Sequence, residues 1–202
     1  MRNRELRAVV AGHLERRWSP EQISGLLPVL FPNRPEMRAA PETIYQALYS
    51  WEGDLITGSA NRSAIGTLVE RTTRYLLLMH LPDGHGAEQV RDALVAAVAV
   101  LPASLRRSLT WDQGVEMSRH DEFVLAAQVP VYFCERASPW QRGTNENTNG
   151  LLRQYFPKGT DLRSHTAAHL ASVAADLNAR PRKILGWETP SQQLDRLLVS
   201  GP

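Results

Sequence analysis

The stretch that decides the fold is Trp51–Ile56, which reads WEGDLI and opens the first of three strand-like runs. That run is predicted at Asp54–Thr57, and the next two follow at Ser63–Glu70 and Tyr75–Leu81. Short polar or glycine-containing turns separate the runs, as is typical of strands joined by hairpins. The pattern predicts a three-stranded meander.

Beyond the meander, strands alternate with helices. The predicted elements are a helix at Gly86–Leu101, a strand at Ser108–Trp111, a helix at Glu116–Gln128, a strand at Val129–Cys134, and helices at Asn145–Phe156 and Thr166–Asn178. The last helix precedes a proline-rich tail. This order predicts an α/β fold with a five-stranded mixed sheet flanked by helices, the order expected of a ribonuclease-H-like fold.

Residues 1–50 are predicted to form a separate helical segment, and residues 51–202 the main domain. Apolar residues recur at helical spacing from Arg2 to about Arg17, and a second helix is expected at Glu21–Leu27. Prolines at 28, 32 and 35 then predict a connector before a third helix at Glu42–Tyr49. Three short helices fit a helix-turn-helix unit, although a helical appendage that binds nothing fits them too. The candidate DNA contacts in the third helix are Thr43, Tyr45 and Gln46.

Composition limits the class of protein. With 202 residues, 43% of them hydrophobic, the chain is long enough to bury a core, and its single cysteine, Cys134, excludes an intramolecular disulfide. No apolar run predicts a membrane span, and the first residues lack the pattern of a secretory signal, so a cytoplasmic location is expected. The net charge is +2 and nearly all positive charge is arginine, which suits phosphate recognition but can also reflect genome composition.

Three acidic residues lie where predicted elements converge. Asp54 lies in the first strand, Asp112 ends the fourth, and Glu146 begins the helix after the fifth. Phosphoryl transfer with two divalent ions needs carboxylates that reach one point, because the ions lie about 3.5–4 Å apart, and hard oxygen ligands suit magnesium. Each acid alone is more typical of a cap or a solvated charge, so the spacing by itself leaves both interpretations open.

The sequence motifs around these acids resemble those of a known family. WEGDLI, NRSAIGTLVERTTRY, LTWDQG and SPWQRGTNENTNGLLRQYFPKGTD resemble insertion-sequence transposases of the IS30 family, from about Trp51 to the C-terminal end. The N-terminal words RWSPEQIS and ETIY also resemble the helix-turn-helix of that family.

The resemblance implies an Asp-Asp-Glu integrase catalytic core, with Asp54, Asp112 and Glu146 as both catalytic residues and metal ligands. It implies two magnesium (or manganese) ions, hydrolysis at a transposon end, and attack of the freed 3′ hydroxyl on another phosphodiester. The implied partners are double-stranded DNA, as terminal inverted repeats and as target, and further copies of this chain. No membrane partner is expected, and the expected location is the bacterial cytoplasm at the nucleoid.

Polar residues near Glu146 are candidate DNA contacts. Arg153 lies two helical turns after Glu146, where a basic residue is typical of the family; it is placed to hold a phosphate, or else is a solvated helix arginine. A polar cluster precedes it, and its amides either bond DNA or satisfy the backbone of their own loop. Its members are Gln141, Arg142, Asn145, Asn147 and Asn149.

Other residues of these segments are expected to be structural. The pattern favours core packing over base stacking for Trp51, Trp111 and Trp140, and a buried small hydrophobe for Cys134. His165 and His169 have the spacing of a two-histidine metal site, but no third ligand is evident and a surface pair is favoured.

The sequence departs from the family at one junction. A long basic segment normally separates the helical unit from the WEGDLI strand, whereas here Ser50 runs straight into Trp51. The expected protein is a shortened copy that keeps its catalytic residues and has lost DNA-binding surface. A non-catalytic DNA-binding remnant, acting as regulator or decoy, is the alternative, and an inert product of a degraded element is a third reading.

Overall fold

Internal contacts divide the chain into two units, Met1–Tyr49 (the N-terminal unit) and Ser50–Pro202 (the sheet unit). The computed structural model describes residues 3–16, 18–41, 43–44, 51–134 and 143–200. Within these ranges no helix is long and apolar enough to cross a membrane.

The N-terminal unit begins with two capped helices, α1 (Arg4–Glu15) and α2 (Pro20–Leu30). Asn3 caps α1 through its side-chain oxygen, and Ser19 forms a reciprocal capping box with Gln22 at the start of α2. Both caps satisfy backbone amides that have no partner within the helix. The apolar faces of the two helices meet in a separate core. Its buried members are Leu6, Val10, Leu14, Ile23, Leu27, Met37 and Ile44.

The prediction that Pro28 ends the second helix is wrong. The helix continues through this proline to Leu30 and closes with a bond from Phe31 N to Leu27 O of 3.0 Å. A proline in a helix loses its own hydrogen bond and strains the turn before it. Burial of Leu27, which is fully inaccessible, offsets that cost here. Most of the third predicted helix, including Tyr45 and Gln46, lies outside the described residues.

The sheet unit contains one five-stranded mixed sheet, as predicted. The strands are β1 (Trp51–Thr57), β2 (Ala64–Glu70), β3 (Leu76–His80), β4 (Leu109–Trp111) and β5 (Val131–Phe133). Their order in the sheet is β3-β2-β1-β4-β5. The pairs β1–β2 and β2–β3 are antiparallel, and the pairs β1–β4 and β4–β5 are parallel. This is the ribonuclease-H-like arrangement, in which the meander supplies one half of the sheet and the crossover strands supply the other.

Helices cover both faces of the sheet, because successive strand residues point to opposite sides. The helices of this unit are α3 (Ala87–Ala99), α4 (His120–Ala127), α5 (Gly143–Leu152), α6 (Ala167–Asn178) and α7 (Pro190–Ser200). On one side of the sheet, β1 contributes Trp51 and Leu55 to a core that includes buried residues of α3. On the other side, Ile56 belongs to a core with residues of α5 and α6.

The Trp111 indole lies against β1 and explains the glycine in WEGDLI. A Cβ at Gly53 would stand 2.0 Å from two atoms of the Trp111 ring. Trp51 and Trp111 are both buried, and so is Cys134, which confirms the prediction of core packing for these three. Trp140 lies outside the described residues.

The proline-rich tail contains a helix, α7, that the sequence prediction missed. Thr189 and Gln192 exchange hydrogen bonds at its start, the capping-box arrangement, with Pro190 at the first helical position. Leu194 and Leu197 of this helix pack against the larger core. The signal, a threonine followed by proline and a glutamine at the third helical position, was present in the sequence.

Candidate active site

Asp54 lies in β1, and Asp112 directly follows β4, the parallel neighbour of β1. β1 and β4 are paired with Trp51 opposite Leu109, and each aspartate lies three residues further along its strand direction. Residues in register on parallel strands about 4.8 Å apart point to the same face. That face is the one covered by α5, because alternate residues of β1, Trp51 and Leu55, point to the opposite core.

Hydrogen bonds from neighbouring groups orient both carboxylates. Asp54 Oδ1 accepts from the backbone amide of Leu55 at 2.8 Å, and Asp54 Oδ2 accepts from Asn149 Nδ2 at 3.0 Å. Asp112 Oδ1 accepts from the backbone amide of Gln113 at 2.6 Å. Hydrogen bonds to an ionised group are among the stronger ones in proteins. The side-chain rotamers of the two acids are therefore fixed from within the sheet unit.

Helix α5 runs beside β1 and in the same direction. Three residues spaced four apart contact successive points on the strand: Asn145 Nδ2 donates to Glu52 O (2.9 Å), Asn149 to the Asp54 carboxylate, and Arg153 Nη1 to Thr57 O (3.3 Å). Side chains at this spacing share one face of a helix. These polar side chains tie α5 to β1 by directional bonds, beside the apolar cluster that contains Ile56 and Leu152.

These contacts change the roles expected for the polar cluster. Asn145 is fully buried and its amide is bonded on both sides, by Glu52 O and by the Thr67 hydroxyl at 2.9 Å, which removes it from the expected DNA contacts. Asn149 holds Asp54, and Arg153 anchors the end of α5 through the Thr57 and Phe156 carbonyls. Gln141 and Arg142 lie outside the described residues.

Glu146 follows Asn145 on α5 and is exposed. Among the described residues, no three acidic, histidine or cysteine side chains are close enough together to hold a metal ion. The chemistry around Asp54 nevertheless suits a hard divalent cation, because Asn149 Oδ1, the oxygen of the amide that bonds Asp54, is buried and accepts no hydrogen bond in the part of the chain that the structure describes. Because Glu146 is exposed, it can change its rotamer without repacking a core.

Glu52 is a member of this site that the sequence analysis missed. It is fully buried two residues before Asp54, with Oε1 2.7 Å from Arg71 Nε and Oε2 accepting from the Asn145 amide at 2.8 Å. Burial raises the pKa of its carboxyl, while Arg71 and the Asn145 amide act in the opposite direction. The two-residue spacing in WEGDLI placed Glu52 and Asp54 on one strand face, and that signal was readable.

His169 of α6 and His165, two residues before that helix begins, form a stacked pair. The His165 and His169 rings lie 5.0 Å apart, and both meet the edge or face of Phe156. Partial burial, followed by the nearby His169, lowers the pKa of His165. Their contacts are those of a packed surface pair.

This chain is similar in sequence to known transposases and contains a known domain. A model of the integrase core domain matches residues 45–139. The chain is 39% identical to the transposase of insertion sequence IS1086 from Cupriavidus metallidurans, covering 95% of this chain and 73% of the relative. It is 40% identical to the transposase InsI of IS30C from Escherichia coli K12, covering 96% of this chain and 65% of that relative.

The alignments with these two relatives are longer than this chain. They extend over 247 and 252 positions, more than the 202 residues of the whole chain. Both relatives therefore carry internal residues that have no counterpart here.

A solved structure of low sequence identity shares the fold. The catalytic core domain of BIV integrase superposes with a TM-score of 0.53 and 18% identity, covering 74% of this chain and 96% of that one. At this identity the likeness shows the fold alone. It confirms the ribonuclease-H-like integrase core expected from the order of strands and helices.

Proposed function

This chain belongs to the IS30 family of insertion-sequence transposases, and from that premise we propose that it cuts and joins DNA with Asp54, Asp112 and Glu146 as its catalytic carboxylates. The observation that carries the proposal is the parallel pairing of β1 with β4, in which Asp54 follows Trp51 by three residues and Asp112 follows its partner Leu109 by three residues. Helix α5, which bears Glu146, covers the same face of the sheet and binds Asp54 through Asn149.

The three carboxylates would hold two divalent ions, magnesium or manganese. When bound, such ions activate the attacking oxygen and stabilise the charge on the leaving oxygen. The donor set supports this: two like charges on adjacent strands repel each other unless a cation lies between them. Asn149 contributes by holding Asp54 in one rotamer, and its buried carbonyl oxygen can accept a hydrogen bond from water in the site.

The proposed reaction has two phosphoryl-transfer steps. First, a water oxygen forms a bond to phosphorus at the transposon end, the bond from phosphorus to the 3′ oxygen breaks, and that oxygen leaves as a 3′ hydroxyl. Next, that 3′ hydroxyl loses its proton and its oxygen forms a bond to a phosphorus of the target strand. The bond from this phosphorus to the 3′ oxygen of the target strand breaks, and that oxygen takes up a proton and leaves as a hydroxyl. Both steps are in-line displacements, so this chain must hold DNA and nucleophile in alignment over the aspartate pair.

The proposed partners are double-stranded transposon ends, target DNA and further copies of this chain. The N-terminal unit would bind DNA as a helix-turn-helix through the exposed Thr43 and through Tyr45 and Gln46. Near the catalytic face, the proposed contacts are Gln141 and Arg142, together with the part of the Arg153 guanidinium that does not anchor α5. An enzyme with these substrates is expected at the nucleoid.

The internal residues that this chain lacks would belong at the Ser50–Trp51 junction. In the family a basic segment stands there, and phosphate contacts supply much of the affinity of a protein for DNA. The proposed consequence is weaker binding to transposon ends with intact chemistry at the carboxylates.

A strand-transfer assay on a matched transposon end tests the function. With magnesium or manganese, the unmodified chain is expected to nick the end and join it to target DNA. Asp112→Asn keeps the size of the side chain and removes its charge, so the rate should fall at least about 100-fold, equivalent to roughly 2.7 kcal/mol of barrier. Asp195→Asn, an exposed aspartate on α7, is the matched control and should retain activity.

Two outcomes would contradict the proposal. Asp112→Asn acting as fast as the unmodified chain would show that this carboxylate is not catalytic. Retention of DNA on a gel without cleavage under either metal would instead identify a DNA-binding remnant.

A further inference from the structure

We propose that Glu52 and Asn145 are positioning residues, which fix the first turn of α5 to β1 and thereby set where Glu146 stands relative to Asp54. The catalytic consequence rests on the proposed function, because it assumes that Glu146 is a catalytic carboxylate. The anchoring itself rests only on the contacts among described residues.

Asn145 is bonded at three atoms inside the protein. Its backbone amide donates to Glu52 Oε2 at 2.8 Å, its side-chain Nδ2 donates to Glu52 O at 2.9 Å, and its Oδ1 accepts from the Thr67 hydroxyl at 2.9 Å. All three residues are buried. Asn145 thus links α5 to β1 through Glu52 and to β2 through Thr67.

Glu52 acts as a cap supplied by another element. Amides in the first turn of a helix have no acceptor within the helix, and a negative charge there meets the positive end of the helix dipole. The Glu52 carboxylate provides both the acceptor and the charge for α5. Arg71 balances that charge from the β2–β3 turn, and Arg74 of the same turn donates to the Thr144 hydroxyl.

The anchor fixes Glu146 because the two residues are adjacent on a helix. One helical step advances about 1.5 Å and turns about 100°. A second anchor, from Asn149 to Asp54, follows one turn later. Four helix residues advance about 6 Å and two strand residues about 6.8 Å, so the anchors at 145 and 149 match the positions 52 and 54 on β1. A slide of α5 by one residue would break both.

A buried ion pair and amide network is not needed to pack a helix on a sheet. Apolar residues of similar volume are often as stabilising as a buried ion pair, whereas hydrogen bonds to charged groups have a fixed direction and length. Apolar contacts alone could hold α5 on the sheet. The Glu52–Asn145 network therefore has a different role, which is to fix the position of α5 along β1.

The test compares two buried asparagines that tie a helix to a strand. Asn145 does so from α5 to β1; Asn178 does so from α6 to β3, with its amide bonded to Leu76 N at 2.8 Å and Leu76 O at 2.9 Å. Asn145→Ala and Asn178→Ala each remove one such amide from the full chain. Melting temperature, hydrogen exchange of the α5 amides, and Mn²⁺ affinity by titration calorimetry are measured for both.

The melting temperatures of the two variants should fall by similar amounts, whereas their α5 amide exchange and their Mn²⁺ affinity should differ. For Asn145→Ala we expect exchange of the first α5 amides at least about tenfold faster and Mn²⁺ binding at least about tenfold weaker, the size typical of residues that orient metal ligands. For Asn178→Ala both quantities should stay within about twofold of the unmodified chain. If Asn145→Ala does not fold, Thr67→Val, which removes the hydroxyl bonded to Asn145, replaces it. Its α5 exchange and Mn²⁺ affinity should differ from those of Asn178→Ala in the same direction, by a smaller factor.

Equal losses of Mn²⁺ affinity in the two asparagine variants would overturn the inference and leave Asn145 a structural residue. An unmodified chain that neither binds Mn²⁺ nor joins DNA would contradict the proposed function instead. In that case hydrogen exchange alone decides the anchor: unchanged exchange in α5 of Asn145→Ala refutes it, and faster exchange absent from Asn178→Ala supports it.

Discussion

Residue 53 has no room for a side chain, because the Trp111 ring occupies the space where a Cβ would stand. We predict that Gly53→Ala lowers the free energy of unfolding by about 1–3 kcal/mol, the usual cost of overpacking a core. Urea denaturation of the sheet unit measures it. The strand would have to move away from Trp111, and Asp54 would move with it.

Gly150→Ala is the matched control for that substitution. Gly150 is exposed on α5 and nothing lies within 4 Å of an added Cβ. Since glycine costs about 0.5–1 kcal/mol relative to alanine inside a helix, this variant should be slightly more stable. A Gly53→Ala chain as stable as the unmodified one would show that Trp111 can rotate away.

The polar cluster before Arg153 shows which residue roles the sequence predicts and which it leaves open. The sequence indicated that amides near Glu146 matter, and left open whether they face DNA or the protein. Asn145 and Asn149 face β1. The choice depends on which side of α5 meets the sheet, and that side is set by residues such as Glu52 and Thr67 that are distant along the chain.

At the scale of an element, helix starts carry local signals that can be tested directly. Ser19 accepts from the Gln22 amide at 3.3 Å and Gln22 Oε1 accepts from the Ser19 amide at 2.9 Å. We predict that Ser19→Ala costs about 1 kcal/mol of local stability, because a first-turn amide of α2 loses its acceptor. Hydrogen exchange of the first α2 amides is the measurement.

Gln22→Ala is the comparison for the cap. It removes the reciprocal bond to an exposed amide that water can satisfy, so its effect should be smaller than that of Ser19→Ala. The opposite order would mean that the side chain of Gln22, and not that of Ser19, holds the helix start.

At the scale of the whole molecule, the two units have separate cores. Every buried member of the N-terminal core precedes residue 45, and every member of the two sheet cores follows residue 50. We predict that a chain of residues 50–202 folds alone and keeps the melting temperature of the sheet unit within about 4 °C, equivalent to a change of roughly 1 kcal/mol. Calorimetry of the full and shortened chains gives the comparison. Failure of the shortened chain to fold would show that the N-terminal unit supports the sheet.

The sequence by itself determined the number and order of strands and the family. Alternating apolar residues and turns define β1 to β5 locally, and the words around Asp54, Asp112 and Glu146 identify the family. Boundaries were less certain: β1 begins at Trp51, three residues before the predicted run, and α7 was missed despite its capping signal.

Only the tertiary structure decided which of these residues meet. The strand that carries Asp54 lies beside the strand that precedes Asp112 because β1 and β4 pair in one register, and that register depends on two sheet faces being buried at once, a condition that no local segment contains. The same long-range packing turned Asn145 inward, gave Glu52 its partner Arg71, and laid α5 along β1. Local sequence sets the elements, whereas contacts between distant residues set the geometry that the proposed chemistry at Asp54, Asp112 and Glu146 requires.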